Sequence, residues 1–314
     1  DNAEALPVRG AGDNRRALVG LEKFGVRHHP ARHRHLLAQR PVSRDDARPT
    51  LLALAGQHDV GVPGVLVRHI DLADYDALRM RTTAFRPTHI LHLGALTAVG
   101  ECYARPEYAA RVNSGATRVL AQVASDCAAR LVFSSTDMVF DGEHAPYSES
   151  DEPGPLSHYG RTKVAAEKHL AAQERTLVVR IPLLYGLPCN RRETTFRSQL
   201  AALRSGQPLR LFTDEFRTPV WLADAARALI GLARSDLTGL IHVSGPERFS
   251  RYELIAQCAR LLEIANHNLV PISRLDIAAG EPRPADLSLD GGRFVTQFPD
   301  LAPEPLRAAA LLPS

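Results

Sequence analysis

Leu131-Val132-Phe133-Ser134-Ser135-Thr136-Asp137, answered farther on by Tyr159-Gly160-Arg161-Thr162-Lys163, is the stretch that decides how this 314-residue chain folds. The apolar triplet reads as a buried strand that delivers hydroxyl groups at its end, and the Tyr and Lys then open a helix. Their spacing of four puts Tyr159 and Lys163 on one helical face, one turn apart. A phenol with its ordinary pKa of about 10 is a poor acid at neutral pH, so a reactive Tyr needs a cation beside it. Lys occurs only at 23, 163 and 168, Arg supplying the other basic side chains. The residue at 163 therefore reads as selected for a compact ammonium charge.

Working outward, strand-like and helix-like segments alternate from about residue 51, which predicts an α/β doubly wound, mostly parallel Rossmann-type sheet. Leu51–Ala55 reads as the end of a helix and His58-Asp59-Val60 as the start of a strand. Strands are expected over 65–70, 88–93, 131–134 and 177–180, and helices over 106–129 and 158–174. After Pro188 the sequence turns polar, Arg-rich and Pro-punctuated, which predicts a smaller C-terminal lobe over 188–314 following a dinucleotide-binding domain over 51–187. Within that lobe a helix is expected over 191–205, a strand over 209–213 and a helix over 223–233. Residues 240–262 are expected to return to the main sheet.

Ser135-Thr136-Asp137-Met138-Val139-Phe140-Asp141-Gly142, the acidic loop Pro146-Tyr147-Ser148-Glu149-Ser150-Asp151 and the Tyr/Lys pair resemble one known family. It is the extended short-chain dehydrogenase/reductases, in their dTDP-4-dehydrorhamnose reductase-like branch. The resemblance covers about residues 51–310, is strongest over 88–186, and extends to 214–226 and 281–290. It implies an NAD(P)-dependent oxidoreductase, using NADPH or NADH, that reduces the 4-keto group of a nucleotide-activated 4-keto-6-deoxyhexose. A sugar-nucleotide epimerase or dehydratase is the rival on the same scaffold. A dehydratase is expected to carry an acidic pair after the catalytic Thr, and Asp137-Met138 supplies one carboxylate. A catalytically silent binding or regulatory protein is the rival outside enzymology. A homodimer is implied by the family alone.

The resemblance also implies roles. Thr136 polarises the substrate carbonyl, Tyr159 is the general acid, and Lys163 lowers the Tyr pKa while holding the nicotinamide ribose. Asp137 lies beside the catalytic group, or caps the strand end. Asp71 and Leu72 occupy the acidic position that meets the adenine, with a helix-capping Asp as the competing reading. Gly94 and Ala95 form the turn over which the cofactor passes, or serve tight packing. Asn113 supports the active-site backbone, and Ile181 belongs to the loop over the carboxamide. Arg217, Arg283 and Asp286 are candidates for the substrate, since guanidinium groups suit diphosphate oxygens. Trp221 stacks on a base or packs in the core.

Residues 1–50 stand apart. The first βα unit of such a fold carries a glycine-rich turn that lets pyrophosphate meet a helix N-terminus. Counting back from Val60 places that turn near 35–45, where the sequence runs His35-Leu36-Leu37-Ala38-Gln39-Arg40-Pro41 with no glycine. Gly10-Ala11-Gly12 lies too far upstream. The segment reads as a disordered basic lead, as an imidazole cluster of His28, His29, His33 and His35, or as a displaced coding frame. No Cys or paired carboxylate completes a site around those imidazoles, and no metal is expected.

Composition excludes other classes. A hydrophobic share of 45% with 23% charged residues describes an ordinary globular chain able to bury a large core. A formal charge of +3, without a basic run interleaved with aromatics, gives nucleic acid no footing. No apolar run approaches the ~18 residues that cross a bilayer, so no membrane partner is expected. Cys102, Cys127, Cys189 and Cys258 are scattered, as free thiols of a reducing cytoplasm would be.

Overall fold

Parallel strands buried on both faces need apolar side chains pointing in both directions, and β5, Arg130–Thr136, has them. Leu131 and Phe133 pack into one core cluster, while Val132 between them packs into the other. The computed structural model describes residues 16–20, 50–55, 66–188, 193–265, 267–277 and 280–312. Its main sheet also holds β1 Arg16–Gly20, β2 Thr50–Ala55, β3 Leu66–His69, β4 His89–His92, β6 Thr176–Ile181 and β11 Gly239–His242.

Among the described residues the order is β11-β6-β5-β4-β1-β2-β3, with every pairing parallel. Strand order therefore reverses between β1 and β4. The ends of the strands around that reversal are where open α/β sheets take their ligands.

One face is covered by helices Tyr75–Phe85, Ala116–Asp126 and His158–Leu170 through Leu78, Val119, Leu120, Ala166 and Leu170. The other is covered by helix Leu222–Arg234, whose Ala225, Leu229 and Leu232 meet Val179, Ile241 and Phe294. A third cluster, with Tyr185, Phe196, Leu200, Leu211 and Ile255, lies outside the sheet. Short strands surround it: β7 Leu184–Tyr185 pairs with β10 Val220–Trp221, and β8 Leu209–Phe212 with β13 Leu269–Ile272. β9 Phe216–Arg217 pairs antiparallel with β12 Phe249–Ser250, which opens helix Arg251–Leu261 through a Ser250/Glu253 capping box.

Two expectations need correction. Leu51–Ala55 is strand β2, not a helix end; five apolar residues carry no period, and pairing with β1 and β3 on either side decides the matter. The first strand ends at Gly20 and the second is β2, so Val60 is not the point to count back from, and residues 35–45 lie outside the described residues. The residues after Gly20, the strand start at His58-Asp59-Val60, Gly10-Ala11-Gly12, the four imidazoles and Cys189 lie outside the described residues. No described helix is long and apolar enough to cross a membrane.

Candidate active site

β5 ends at Thr136, in register with Ile181 of β6, so both stand at the same edge of the sheet. Helix His158–Leu170 returns antiparallel over this edge, its first turn capped by the Ser157 hydroxyl accepting from Gly160 N at 3.1 Å. Gly160 permits the approach, because a Cβ there would sit 2.2 Å from the Met138 carbonyl oxygen. The result sets Tyr159 against the end of β5.

Thr136, Asp137, Tyr159 and Lys163 come together there, each at most 7% exposed. The Tyr159 phenol lies against the Thr136 hydroxyl. The Thr136 hydroxyl accepts from Met138 N at 3.3 Å and donates to Asp137 Oδ1 at 3.0 Å. A hydroxyl has one proton to give, and here it faces the carboxylate. Lys163 Nζ donates to the Ser134 carbonyl at 2.7 Å and lies 4.0 Å above the Phe133 ring.

This geometry corrects the acidified phenol expected from spacing. Burial, followed by the Asp137 carboxylate, pushes Tyr159 well above its ordinary value. Cys102, packed beside Tyr159, is likewise pushed up to about 11, mainly by burial. His92 beneath the site is held neutral, down to about 3, by burial and then by the Lys163 charge. Its Nε2 lies 3.0 Å from Thr117 Oγ1.

Asn113 ties the surroundings together. It sits in a π-helical turn, Arg111–Gly115, a widening that aims the side chain inward. Its Oδ1 accepts from Leu96 N at 2.7 Å, and its Nδ2 donates to Leu96 O and to Thr162 Oγ1, both at 2.9 Å. The loop after β4, with Gly94 and Ala95, is thus fastened to the Tyr159 helix. Gly94 is small for packing, since a Cβ there would stand 3.0 Å from a methyl of Leu72. Leu72 itself is core. Asp71 is exposed at the end of β3, where its Oδ1 accepts from Ala73 N at 2.8 Å and Tyr108 OH at 3.3 Å. It lines a surface cavity of about 470 Å³ with Tyr75, Tyr108 and Arg111.

The four residues proposed for the substrate part company. Arg217 is buried, with Nε 3.0 Å from Asp137 Oδ2. Arg283, 40% exposed, reaches Glu215 Oε2 at 2.9 Å. Asp286 pairs with Arg248 at 2.7 Å and accepts from Ser288. Trp221 belongs to the third cluster, its indole against Gly186 and beneath the Arg307 guanidinium at 4.6 Å, which is the packing reading.

Two groups were not singled out from sequence. Glu215 is 2% exposed and meets Arg217, Arg251 and Arg283. Burial would raise its carboxyl, but the three guanidinium groups outweigh this and hold it below the usual range. The run Asp214-Glu215-Phe216-Arg217, acids against a base, was the available signal. Glu281 reaches the first turn of the Tyr159 helix, accepting from His158 N at 2.6 Å and Arg161 Nη2 at 3.0 Å. Nothing in its local sequence points to that partnership.

The sequence profile described as RmlD substrate binding domain matches residues 49–309. A dTDP-4-keto-6-deoxy-D-glucose reductase of Streptomyces niveus is 34% identical over 225 residues, 70% of this chain and 76% of that protein. Methionine adenosyltransferase 2 subunit beta of Rattus norvegicus is 30% identical, over 72% of this chain and 70% of that one. Among solved structures, a hypothetical dTDP-4-dehydrorhamnose reductase from Sulfolobus tokodaii superposes with a TM-score of 0.75. It is 24% identical and covers 95% of this chain and 99% of its own, a likeness of fold. The chain belongs to the RmlD substrate binding domain family.

Proposed function

We propose that this protein is a sugar-nucleotide reductase that uses NADPH or NADH to reduce the 4-keto group of a nucleotide-activated 4-keto-6-deoxyhexose. The observation that carries the reading is the meeting of Tyr159, Thr136 and Lys163 at the end of β5, beside the point where strand order reverses. Membership in the family and the 34% identical reductase support it.

The described residues suit a dinucleotide. Asp71 offers an exposed carboxylate at the end of β3 for a hydroxyl or amine of the adenosine, and Tyr108 and Arg111 flank it. Lys163 would hold the nicotinamide ribose, and Ile181 would face the carboxamide. A reduced nicotinamide supplies hydride to the carbonyl carbon.

The chain's own part is to hold the ketone against Tyr159 and give its oxygen a proton. A phenol raised by burial remains protonated through neutral pH, and a developing alkoxide is far more basic than a phenolate, so the transfer still runs downhill. Thr136 orients the phenol. Arg283, partly exposed and paired with Glu215, would meet a diphosphate oxygen.

The test combines cofactor titration by fluorescence with loss of reduced-nicotinamide absorbance on adding a dTDP-4-keto-6-deoxy sugar. Tyr159→Phe should keep cofactor binding and lose at least about 10²-fold in rate. Turnover unaffected by that substitution would overturn the assignment. The likeness to methionine adenosyltransferase 2 subunit beta favours a second reading, a non-catalytic partner subunit. Absence of cofactor binding at millimolar concentration would support it.

A further inference from the structure

Guanidinium groups near a sugar-nucleotide site are ordinarily read as diphosphate ligands, and Arg217 is a candidate by that rule. Its surroundings say otherwise. It is 3% exposed, and each arm is engaged: Nε stands 3.0 Å from Asp137 Oδ2, Nη1 donates to Phe216 O at 2.7 Å, and Nη2 reaches Glu215 Oε1 at 3.4 Å. Glu215 is itself held by Arg251 and Arg283, so Arg217 is backed by a buried carboxylate that three guanidinium groups share.

We propose that Arg217 is a positioning residue: by clamping Asp137 from the lobe, it fixes the Thr136 hydroxyl and, through it, the Tyr159 phenol, and it does not contact substrate. The chain of contacts is Arg217 to Asp137, Asp137 Oδ1 to the Thr136 hydroxyl at 3.0 Å, and Thr136 to the Tyr159 phenol. A buried carboxylate stays ionised only when its charge is met. With Arg217 in place the Asp137 carboxylate is held as the acceptor of the Thr136 hydroxyl and is withdrawn from acid chemistry of its own. The same pair makes the site a poor dehydratase, whose acidic residue must be able to give up a proton. Without Arg217 the carboxylate would take a proton and turn from acceptor to donor, and the hydroxyl would lose its orientation.

The groups around Asp137 include Arg217 with Glu215, Arg251 and Asp286 behind it, and Tyr159 with Cys102 on the helix side. Lys163 stands one turn beyond Tyr159. Phenol and thiol are both raised by burial, so neither titrates between pH 5 and 8.

This inference rests on the reductase reading, and the experiment separates the two. The full chain is prepared as wild type, Arg217→Met, Arg217→Lys, Asp137→Asn and the double variant Asp137→Asn/Arg217→Met. Reduced-cofactor oxidation is followed from pH 5 to 9, and thermal unfolding is measured for all five. Arg217→Met should lower kcat on the order of 10²-fold with KM for the sugar nucleotide within about threefold, as a misplaced catalytic group does. Its profile should gain an ionisation between pH 5 and 8 that wild type lacks and the double variant loses. Arg217→Lys should recover part of the rate. A raised KM with kcat and pH profile unchanged would make Arg217 a substrate ligand and overturn the proposal. The unfolding midpoints need no turnover: non-additive shifts in the double variant support the clamp, and additive ones refute it. Wild type that turns over no sugar nucleotide while the midpoints couple defeats the reductase reading and leaves the clamp standing. Should Arg217→Met not fold, Arg217→Lys and Asp137→Asn carry the same kinetic comparison.

Discussion

Asn113 Nδ2 donates to Thr162 Oγ1 at 2.9 Å, a buried bond between the helix that follows β4 and the helix that carries Tyr159 and Lys163. The same amide grips both backbone groups of Leu96, so one side chain sets the distance from the turn at Gly94-Ala95 to the reactive phenol.

Replacing Asn113 by Leu keeps the branched shape and removes all three bonds. Each part-buried backbone group of Leu96 left bare should cost up to about 1–3 kcal/mol. Urea unfolding should show that loss, and kcat should fall with it. A variant as stable as wild type would mean that the amide ties nothing together.

Gly160 touches what no side chain could. A Cβ there would meet the Met138 carbonyl at 2.2 Å and Pro155 at 2.8 Å, and backbone cannot step aside cheaply. Gly160→Ala should push the first turn of the helix off β5 and lower kcat on the order of 10²-fold, since small displacements of a catalytic group are costly. Wild-type kcat in steady-state assays would show that Tyr159 needs no such approach.

Arg180 and Glu167 form a two-pronged pair, 2.7 and 3.1 Å, with side chains 3% and 11% exposed. Glu167 also accepts from the Ser135 hydroxyl, and the guanidinium lies 4.9 Å over Phe140. Arg180→Met strands the carboxylate and should cost about 3–5 kcal/mol in denaturant unfolding. Adding Glu167→Gln should return part of that loss.

Acid should unfold the protein partly through His92, which is held neutral at about 3 by burial and then by Lys163. Unfolded, it titrates near 6.5 and binds the extra proton there, so its contribution is full above about 6.5 and is lost as pH falls toward 3. The slope is at most about 1.4 kcal/mol per pH unit. His92→Asn should flatten the fall in Tm between pH 6.5 and 4, and an unchanged slope would place the acid sensitivity elsewhere.

Much of the fold was legible because its evidence is local. The doubly apolar run before Ser134 needs burial on both faces, which only a covered parallel sheet provides, and β5 is that strand. Thr136, Tyr159 and Lys163 were legible for the same reason, since a strand end and a helical spacing of four are properties of short segments. Leu51–Ala55 misled because a five-residue apolar run has no period, and the neighbouring strands chose its state.

What the sequence determined by itself was the sheet's central strands, the helix that follows them and the identity of the three side chains brought to their edge. Tertiary structure alone decided their electrostatics and their company. Burial and Asp137 raise the phenol that helical spacing had paired with an ammonium, and Lys163 turns to the Ser134 carbonyl. Arg217, eighty residues from Asp137 along the chain, becomes its partner. Charge interactions depend on distance and on excluded water, and both are settled only when separate elements close over one another.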